Sequence, residues 1–384
     1  MAGIYFHIPF CKKKCIYCDF FSGNFSREVK DRYLLAMMRE LEVRRKELKG
    51  EEIATVYFGG GTPSLLFPDE IGVLLHSAGC CKGAEVTVEV NPDDVTAEYI
   101  ANLRKVGVNR ISMGVQSFND KELKLLGRRH NARKAIDAAK AIRYAGISNL
   151  SIDLIYGIPG QSEQSWRKSL EQAIALHPKH ISAYSLTYEE GTPLSRLRDE
   201  GAIAEVDDDL SVRFFDMLLD TLEANGYKQY EISNFSLPGK QSRHNSAYWQ
   251  FTPYLGIGAS AHSFDGKVRR YNPSNLSLYI NKVLEQGVAY EEEHETLSQL
   301  YDEWVMTRLR TAKGMNLKAL GERFGESYLA HCRKAMQPHL QQGLITITRG
   351  VVRLTRKGVM LSDMVFRDLF YDEECTALSF KLKM

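Results

Sequence analysis

The sequence has no run near the ~18 apolar residues that a membrane-crossing helix needs. Its opening, MAGIYFHIPFCKKKC, holds no secretory hydrophobic region or cleavage site. The cytoplasm is therefore the expected location. An excess of charge of one sign is also missing: 50 lysines and arginines face 48 aspartates and glutamates, a formal net charge of +2. That balance neither calls for nor excludes a nucleic-acid or acidic partner. There are no internal repeats and no low-complexity segments. Cysteine is sparse and unevenly placed: seven occur in 384 residues, and three of them, Cys11, Cys15 and Cys18, stand within one short stretch. An odd number in a chain of this length without an export signal argues for metal binding rather than disulfides. Cys80, Cys81, Cys332 and Cys375 lack comparable neighbours and read as small buried residues or bystanders.

The apolar and charged shares, 44% and 26%, are those of an ordinary globular protein, and the length suggests two domains. Short apolar segments at 4–8, 54–58, 85–90, 110–115, 150–155 and 180–186 read as strands. Helical periodicity falls between them at 27–48, 68–77, 96–106, 120–126, 133–145 and 163–176. Alternation of this kind means a mainly parallel sheet with right-handed crossovers, either doubly wound or barrel-like. In both, the loops after the strands carry the chemistry. After Gly191 the rhythm changes. A long helix is expected over 207–225, an aromatic and glycine-rich segment over 227–271, and a polar, solvated connector over 281–296. Helices at 300–310 and 317–324, then a segment at 332–342, a hairpin over 343–355 and a last helix over 357–370 suggest a small winged-helix-like module. Winged helices often bind nucleic acid, but lysine and arginine do not gather on one recognition helix here, so nucleic acid is not an expected partner.

The stretch Cys11-Lys-Lys-Lys-Cys15-Ile-Tyr-Cys18 places three thiolates on one tight loop. Three thiolates hold three irons of a [4Fe–4S] cubane and leave the fourth open to an outside group. Zinc is the competing reading. It usually takes four ligands from two separated pairs, and His7 is the one nearby residue to complete such a set.

The spacing Cys-x3-Cys-x2-Cys after a first strand resembles the radical S-adenosylmethionine superfamily. Four further words narrow the likeness to its HemN-type branch: Tyr5-Phe-His-Ile-Pro-Phe-Cys11, Gly59-Gly-Gly-Thr-Pro-Ser64, Ser112-Met-Gly-Val-Gln-Ser-Phe118 and Asp153-Leu-Ile-Tyr-Gly-Ile-Pro159. The resemblance runs through essentially the whole chain. It implies a partial (β/α)6 TIM-like barrel with a C-terminal winged-helix-like α+β domain, divided as 1–290, including a haem-associated segment 227–271, and 291–384. The branch holds an oxygen-independent coproporphyrinogen III dehydrogenase and a haem-binding chaperone. Phe20 stands where the dehydrogenase has a fourth cysteine, the chain opens on its first strand without that enzyme's longer extension, and His244-Asn-Ser-Ala-Tyr-Trp249 matches a word associated with haem. The expected function is haem delivery to apo-haemoproteins. The alternative is the dehydrogenase or another radical enzyme acting on a porphyrin.

The resemblance also implies a cofactor site. Gly60, Gly61 and Thr62 would hold the methionine end of S-adenosylmethionine, and Tyr5, Glu89, Gln116, Arg128 and Asp153 would line the rest. Carboxylates suit ribose hydroxyls or the amino group, and an arginine suits the carboxylate. Tyr17 is expected to pack on the cofactor, on a second S-adenosylmethionine, or simply within the loop. His244 is the haem-ligand candidate, flanked by Tyr248 and Trp249 and oriented by Asn245, with His262 as rival or second ligand. Expected partners are haem, a flavodoxin or ferredoxin electron donor, and apo-haemoprotein clients, some of them near membranes. A homodimer is also entertained, with no particular residue arguing for it.

Overall fold

A computed structural model describes residues 1–371; Cys375 lies outside the described residues. The chain divides into two compact units. The first comprises Met1–Lys228, Ser233–His244 and Thr252–Glu292. The second comprises Gln229–Ile232, Asn245–Phe251 and the described residues from Glu293.

In the first unit six parallel strands run in sequential order: β1 (Ala2–Ile8), β2 (Ile53–Gly60), β3 (Cys80–Val90), β4 (Arg110–Gln116), β5 (Asn149–Tyr156) and β6 (His180–Ser185). A doubly wound sheet reverses its order at a switch point. This sheet never does, so it is of the barrel type. The connecting helices are α1 (Arg27–Arg44), α2 (Pro68–Ala78), α3 (Ala97–Lys105), α4 (Asp120–Leu125), α5 (Ala132–Tyr144) and α6 (Glu163–Ala175). Strand Tyr254–Ile257 extends the sheet parallel to β1, followed by the antiparallel strands His262–Phe264 and Val268–Tyr271.

Successive strand residues face opposite sides of a sheet. One alternate set is apolar: Ile4, Phe6 and Ile8 on β1, Val86, Val88 and Val90 on β3, Ile111, Met113 and Val115 on β4. The other set is polar and meets across the bore: Tyr5 and His7, Thr55 and Tyr57, Thr87 and Glu89, Arg110 and Ser112, Ser151 and Asp153, His180 and Ser182. A barrel serving only as a scaffold fills this space with branched aliphatic residues. A polar bore costs stability unless its groups are paired or occupied, which marks it as the working part of the unit.

α1 is tied to the outer strands by a buried ion network. Arg44 pairs with Glu40 at 2.8 Å and Glu47 at 2.9 Å, and donates to Ser263 Oγ at 3.0 Å and the Gly256 carbonyl at 3.2 Å. Glu40 in turn accepts from Tyr279, Asn272 and the Gly258 amide. Removing one member strands the others in a dry interior, at about 3–5 kcal/mol. Arg44→Met is expected to lower the urea midpoint accordingly, with the slope unchanged.

Two sequence expectations are corrected. Residues 281–296 are not a plain connector: helix Leu276–Gln286 covers the first part and strand Glu291–His294 the end. The helix buries Leu276, Tyr279, Ile280 and Val283, an i, i+3, i+4, i+7 stripe. The helix expected over 27–48 is α-helical only to Arg44 and finishes as a 3-10 turn. Cys80 and Cys81, half-buried at the start of β3, have no disulfide, nor does the fully buried Cys332.

The second unit packs helices Leu297–Leu309, Leu317–Phe324 and Glu326–Gln341 against hairpin strands Ile345–Thr348 and Val351–Leu354. Its core includes Tyr301, Val305, Phe324, Cys332, Met336 and Val352. Three helices precede the hairpin as expected, but the short strand Met315–Asn316 adds a third strand beside Val351–Leu354, and the last helix of 357–370 is split into Arg356–Met360 and Ser362–Leu369. No helix among the described residues is long and apolar enough to cross a membrane.

Candidate functional site

The cysteine loop leaves the end of β1 and is pinned at its base. Cys11 N donates to the Gly23 carbonyl and Gly23 N to the Pro9 carbonyl, each at 2.8 Å. Farther along, Ile16 N donates to Leu126 O, and Leu194 N to Ile16 O. Two side chains from elsewhere in the barrel reach the thiols, and a third, Asn91, joins them. Asn91 Nδ2 donates to Thr62 Oγ1 at 3.2 Å, leaving the Thr62 hydroxyl to donate to Cys11 Sγ at 3.4 Å. Arg128 Nη1 donates to Cys15 Sγ at 3.4 Å, while its Nη2 bonds Asn91 Oδ1 and the Gly114 carbonyl. Asn91 therefore couples the donors at two different cysteines. Sequence reasoning missed it; the only signal was its position at the end of the strand that carries Glu89.

These residues fit a bound cluster. Donors aimed at two sulfurs stabilise thiolates, the form that ligates iron. Without such a group, burial pushes the Cys18 thiol up to about 11. A Cβ at Gly61 would lie 3.1 Å from Cys11 Sγ and 2.9 Å from the Phe10 carbonyl, so only glycine leaves room there. Gly60 has φ +108°, a conformation that favours glycine, and its amide donates to Glu89. Lys12 pairs with Asp94 at 2.8 Å and Lys14 donates to the Phe20 carbonyl, which fixes the outer side of the loop.

Below the loop lies the bore. Tyr57 OH donates to Glu89 Oε1 at 2.7 Å. Burial raises the Glu89 carboxyl to about 7, against the opposing pull of the Tyr57 hydrogen bond. Burial also raises Asp153, opposed by hydrogen bonds from Ser182, Ser112 and Ser151 and by Arg110. Two half-buried carboxyls in a space lined by hydroxyls can receive a cation, which would draw off their protons. Gln116 sits where β4 breaks register, at φ +70°, with Ser117 N bonded to Val115 O in a tight turn. A non-glycine residue held there carries strain that turns its side chain toward Arg128 and Gly114. Tyr5 OH donates to His7 Nδ1 at 3.1 Å, and His7 Nε2 donates to the Phe21 carbonyl at 2.9 Å. His7 is thus a neutral imidazole supporting the cysteine loop.

The structure brings Cys11, Cys15, Cys18, Gly60, Gly61, Thr62, Glu89, Gln116, Arg128 and Asp153 to one end of the barrel or its bore. Tyr5 lies deeper, with its ring 6.2 Å from Tyr57. Tyr17 packs on Leu126, Ile155 and Ile158, its hydroxyl beside Cys15 and Arg128. His244 is placed elsewhere than on an accessible face. It is buried deep in the barrel, its Nδ1 2.8 Å from Thr55 Oγ1 and its ring 5.1 Å from that of Tyr57. Burial holds it neutral, down to about 3. Trp249 belongs to the second unit, buried under the Arg310 guanidinium.

The radical SAM superfamily pattern matches residues 5–173 and the HemN C-terminal domain pattern residues 296–361. "Heme chaperone HemW" of Bacillus subtilis strain 168 is 33% identical over 372 residues, covering 95% of this chain and 98% of the relative. The protein of that name in Escherichia coli K12 is 40% identical over 277 residues, covering 70% and 72%. The solved coproporphyrinogen III oxidase (HemN) of Escherichia coli superposes with a TM-score of 0.82 at 24% identity, covering 96% of this chain and 90% of that one, which establishes the shared fold. With three cysteines on a loop after β1, a polar bore beneath them and relatives matched nearly end to end, the chain belongs to the HemW family, in the HemN-type branch of the radical SAM superfamily.

Proposed function

We propose that this chain binds haem and passes it to apo-haemoproteins, while carrying a [4Fe–4S] cluster on Cys11, Cys15 and Cys18 with S-adenosylmethionine beside it. The observation that carries this reading is the match to relatives named heme chaperones over 95% of the chain. Phe20, standing where the related dehydrogenase has its fourth cysteine, supports it over porphyrinogen oxidation.

When bound, the cluster supplies single-electron chemistry to the S-adenosylmethionine at its open iron. The chain's own residues prepare the site. Thr62 and Arg128 donate to the sulfurs, and the Gly60–Gly61 backbone leaves space beside Cys11. Glu89 and Asp153 offer carboxylates to a cationic ligand. We assign the cofactor roles to these residues together with Tyr5, Tyr17 and Gln116. The cofactors then belong to residues 1–290, haem to the segment 227–271, and client docking to 291–384. A flavodoxin or ferredoxin is the proposed donor, the clients include membrane-associated haemoproteins, and the setting is the cytoplasm; a homodimer is carried as a proposal.

The test is a haem titration of the full chain after anaerobic reconstitution with iron and sulfide, followed by mixing with an apo-haemoprotein acceptor. Saturable binding and transfer faster than release of haem to buffer are expected. A correctly loaded protein that retains no haem would refute the reading.

A further inference from the structure

We infer that Arg308 and Arg323, held together on the Trp304 indole in the second unit, form a binding site for a carboxylate. The site is independent of the haem-binding reading above. Haem propionate as the source of that carboxylate rests on it.

Trp304 and Arg308 stand four residues apart on helix Leu297–Leu309 and so share a face. The Arg308 guanidinium lies 4.2 Å over the Trp304 ring. Arg323, in the last turn of helix Leu317–Phe324, brings its guanidinium to 5.0 Å over the same ring. Phe251 and Phe324 extend this aromatic floor, with ring centroids 5.5 Å and 5.9 Å from that of Trp304. Arg323 also lies 5.5 Å over each of them. The indole is 9% exposed, Arg308 is half-buried and Arg323 is exposed. The floor is therefore covered, and solvent reaches the charged groups above it.

Contact with a π face stabilises one arginine, but two on one ring repel each other. Burial and the Arg323 charge both push the Arg308 guanidinium below its ordinary value, and no carboxylate counters them. Among the described residues no carboxylate pairs with either arginine. Arg308 Nε and Trp304 Nε1 are both buried without a hydrogen-bond partner, a setting that costs stability unless a ligand supplies the acceptor. Arg310, two residues on, shows the compensated arrangement. It too lies over an indole, 4.9 Å from the centre of Trp249, and its Nε donates to Glu231 Oε2 at 2.9 Å. Arg308 and Arg323 each stand in the last turn of a helix, where the dipole favours a cation. That position gives Arg308 Nε no acceptor.

The ligand that answers this arrangement carries negative charge and more than one acceptor oxygen. A carboxylate has both: its oxygens accept guanidinium protons in pairs, and its charge offsets the repulsion between the two arginines. A neutral ligand would leave that repulsion in place. The rings beneath are engaged by the arginines, so recognition falls on the charged end of the ligand. Haem carries two propionates of this kind, and an acidic side chain of a protein acceptor presents the same group.

The experiment titrates succinate into the full chain at constant ionic strength, read by calorimetry and tryptophan fluorescence, for wild type, Arg308→Gln, Arg323→Gln and Lys318→Gln. Lys318 is an exposed cation on the same helix as Arg323, paired with Glu322, and controls for net charge. Saturable binding by the wild type is expected. It should weaken about tenfold or more in each arginine variant, as suits loss of a charged hydrogen bond, and stay unchanged in Lys318→Gln. Arg323 is exposed, so its variant carries the test even where Arg308→Gln disturbs packing. A wild type that takes up no succinate would overturn the inference, as would arginine variants that bind like the wild type or a Lys318→Gln chain weakened as much as they are. Titration with haem and with haem dimethyl ester then identifies the source. Haem affinity that falls in the arginine variants, with ester affinity constant, assigns the carboxylate to a propionate. Haem affinity untouched by both variants assigns it to a protein acceptor, with the site standing. A wild type that binds succinate but no haem refutes the proposed function and leaves the carboxylate site in place.

Discussion

Replacing Cys11, Cys15 or Cys18 by alanine, one at a time, is expected to abolish the iron–sulfur chromophore and leave the chain folded. The cubane needs all three thiolates, because the loop offers no fourth sulfur to step in: Phe20 occupies the next position of that kind. The two half-buried cysteines, Cys15 and Cys18, contribute little packing. Their loss costs the apo fold under about 1 kcal/mol. Cys11 is buried, and its alanine variant is expected to lose about 1 kcal/mol from the small cavity left behind. Iron and sulfide analysis after anaerobic reconstitution, paired with a melting curve, separates the two effects. A variant that keeps stoichiometric iron with wild-type absorption would remove that cysteine from the ligand set. Thr62 and Asn91 sit one bond farther out, so their loss is expected to alter the cluster's potential rather than its presence.

Glu89→Gln is expected to stabilise the apo protein at neutral and alkaline pH and to weaken S-adenosylmethionine binding. Burial raises this carboxyl from 4.5 to about 7. Between those two values the folded chain keeps a proton that the unfolded chain has released, so stability falls as pH rises through the window. At pH 7 and above the cost is about 3 kcal/mol. Glutamine is uncharged and can still accept from Tyr57 and Gly60, so it avoids that cost. S-adenosylmethionine carries a sulfonium and an ammonium group and favours the ionised carboxylate. Wild-type affinity should therefore rise with pH up to about 7 and then level. The variant should bind about tenfold or more weakly, consistent with loss of a charged hydrogen bond. Its pH dependence should flatten, with the remaining slope belonging to Asp153, which burial raises in the same direction. Calorimetric titration across the neutral range, with melting curves of the apo forms, checks both halves. An unchanged pH profile would place the cofactor's cationic groups away from Glu89.

The stability cost and the binding gain have one origin. A bore lined by Glu89, Asp153, Arg110, His180 and His244 pays desolvation that an aliphatic filling would avoid. Arg110 Nε and Nη1, Thr87 Oγ1 and Asn149 Oδ1 have no hydrogen-bond partner among the described atoms, and these three residues are neighbours in register on β3, β4 and β5.

Much of this was legible in the chain itself. Strand and helix periodicities are local, and short-range sterics and solvation act on them before any tertiary contact forms, so the β–α rhythm could be read directly, while the pattern alone left a doubly wound or a barrel-like sheet open. The cysteine spacing is also local: three thiols on one tight loop are neighbours in any fold. The segment 281–296 shows where such reading fails. Its charges suggest a connector, whereas the stripe from Leu276 to Val283 buries one face of a helix. Asn91 shows a second limit. Its importance lies in joining Thr62, at the end of β2, to Arg128, after β4. Nothing within its own neighbourhood signals that meeting. His244 shows a third. Its word in the sequence says nothing of its burial, which is a property of the surroundings. Thr55, Tyr57 and Gly3 enclose its ring from strands far away in sequence. Residue types and spacing thus determined which chemistry the chain can carry, because thiolates, carboxylates and imidazoles bring their reactivity with them. Only the tertiary assembly of the sheet decided which groups meet, which are buried and which protons they hold, because those depend on distance and dielectric, and both are set by packing.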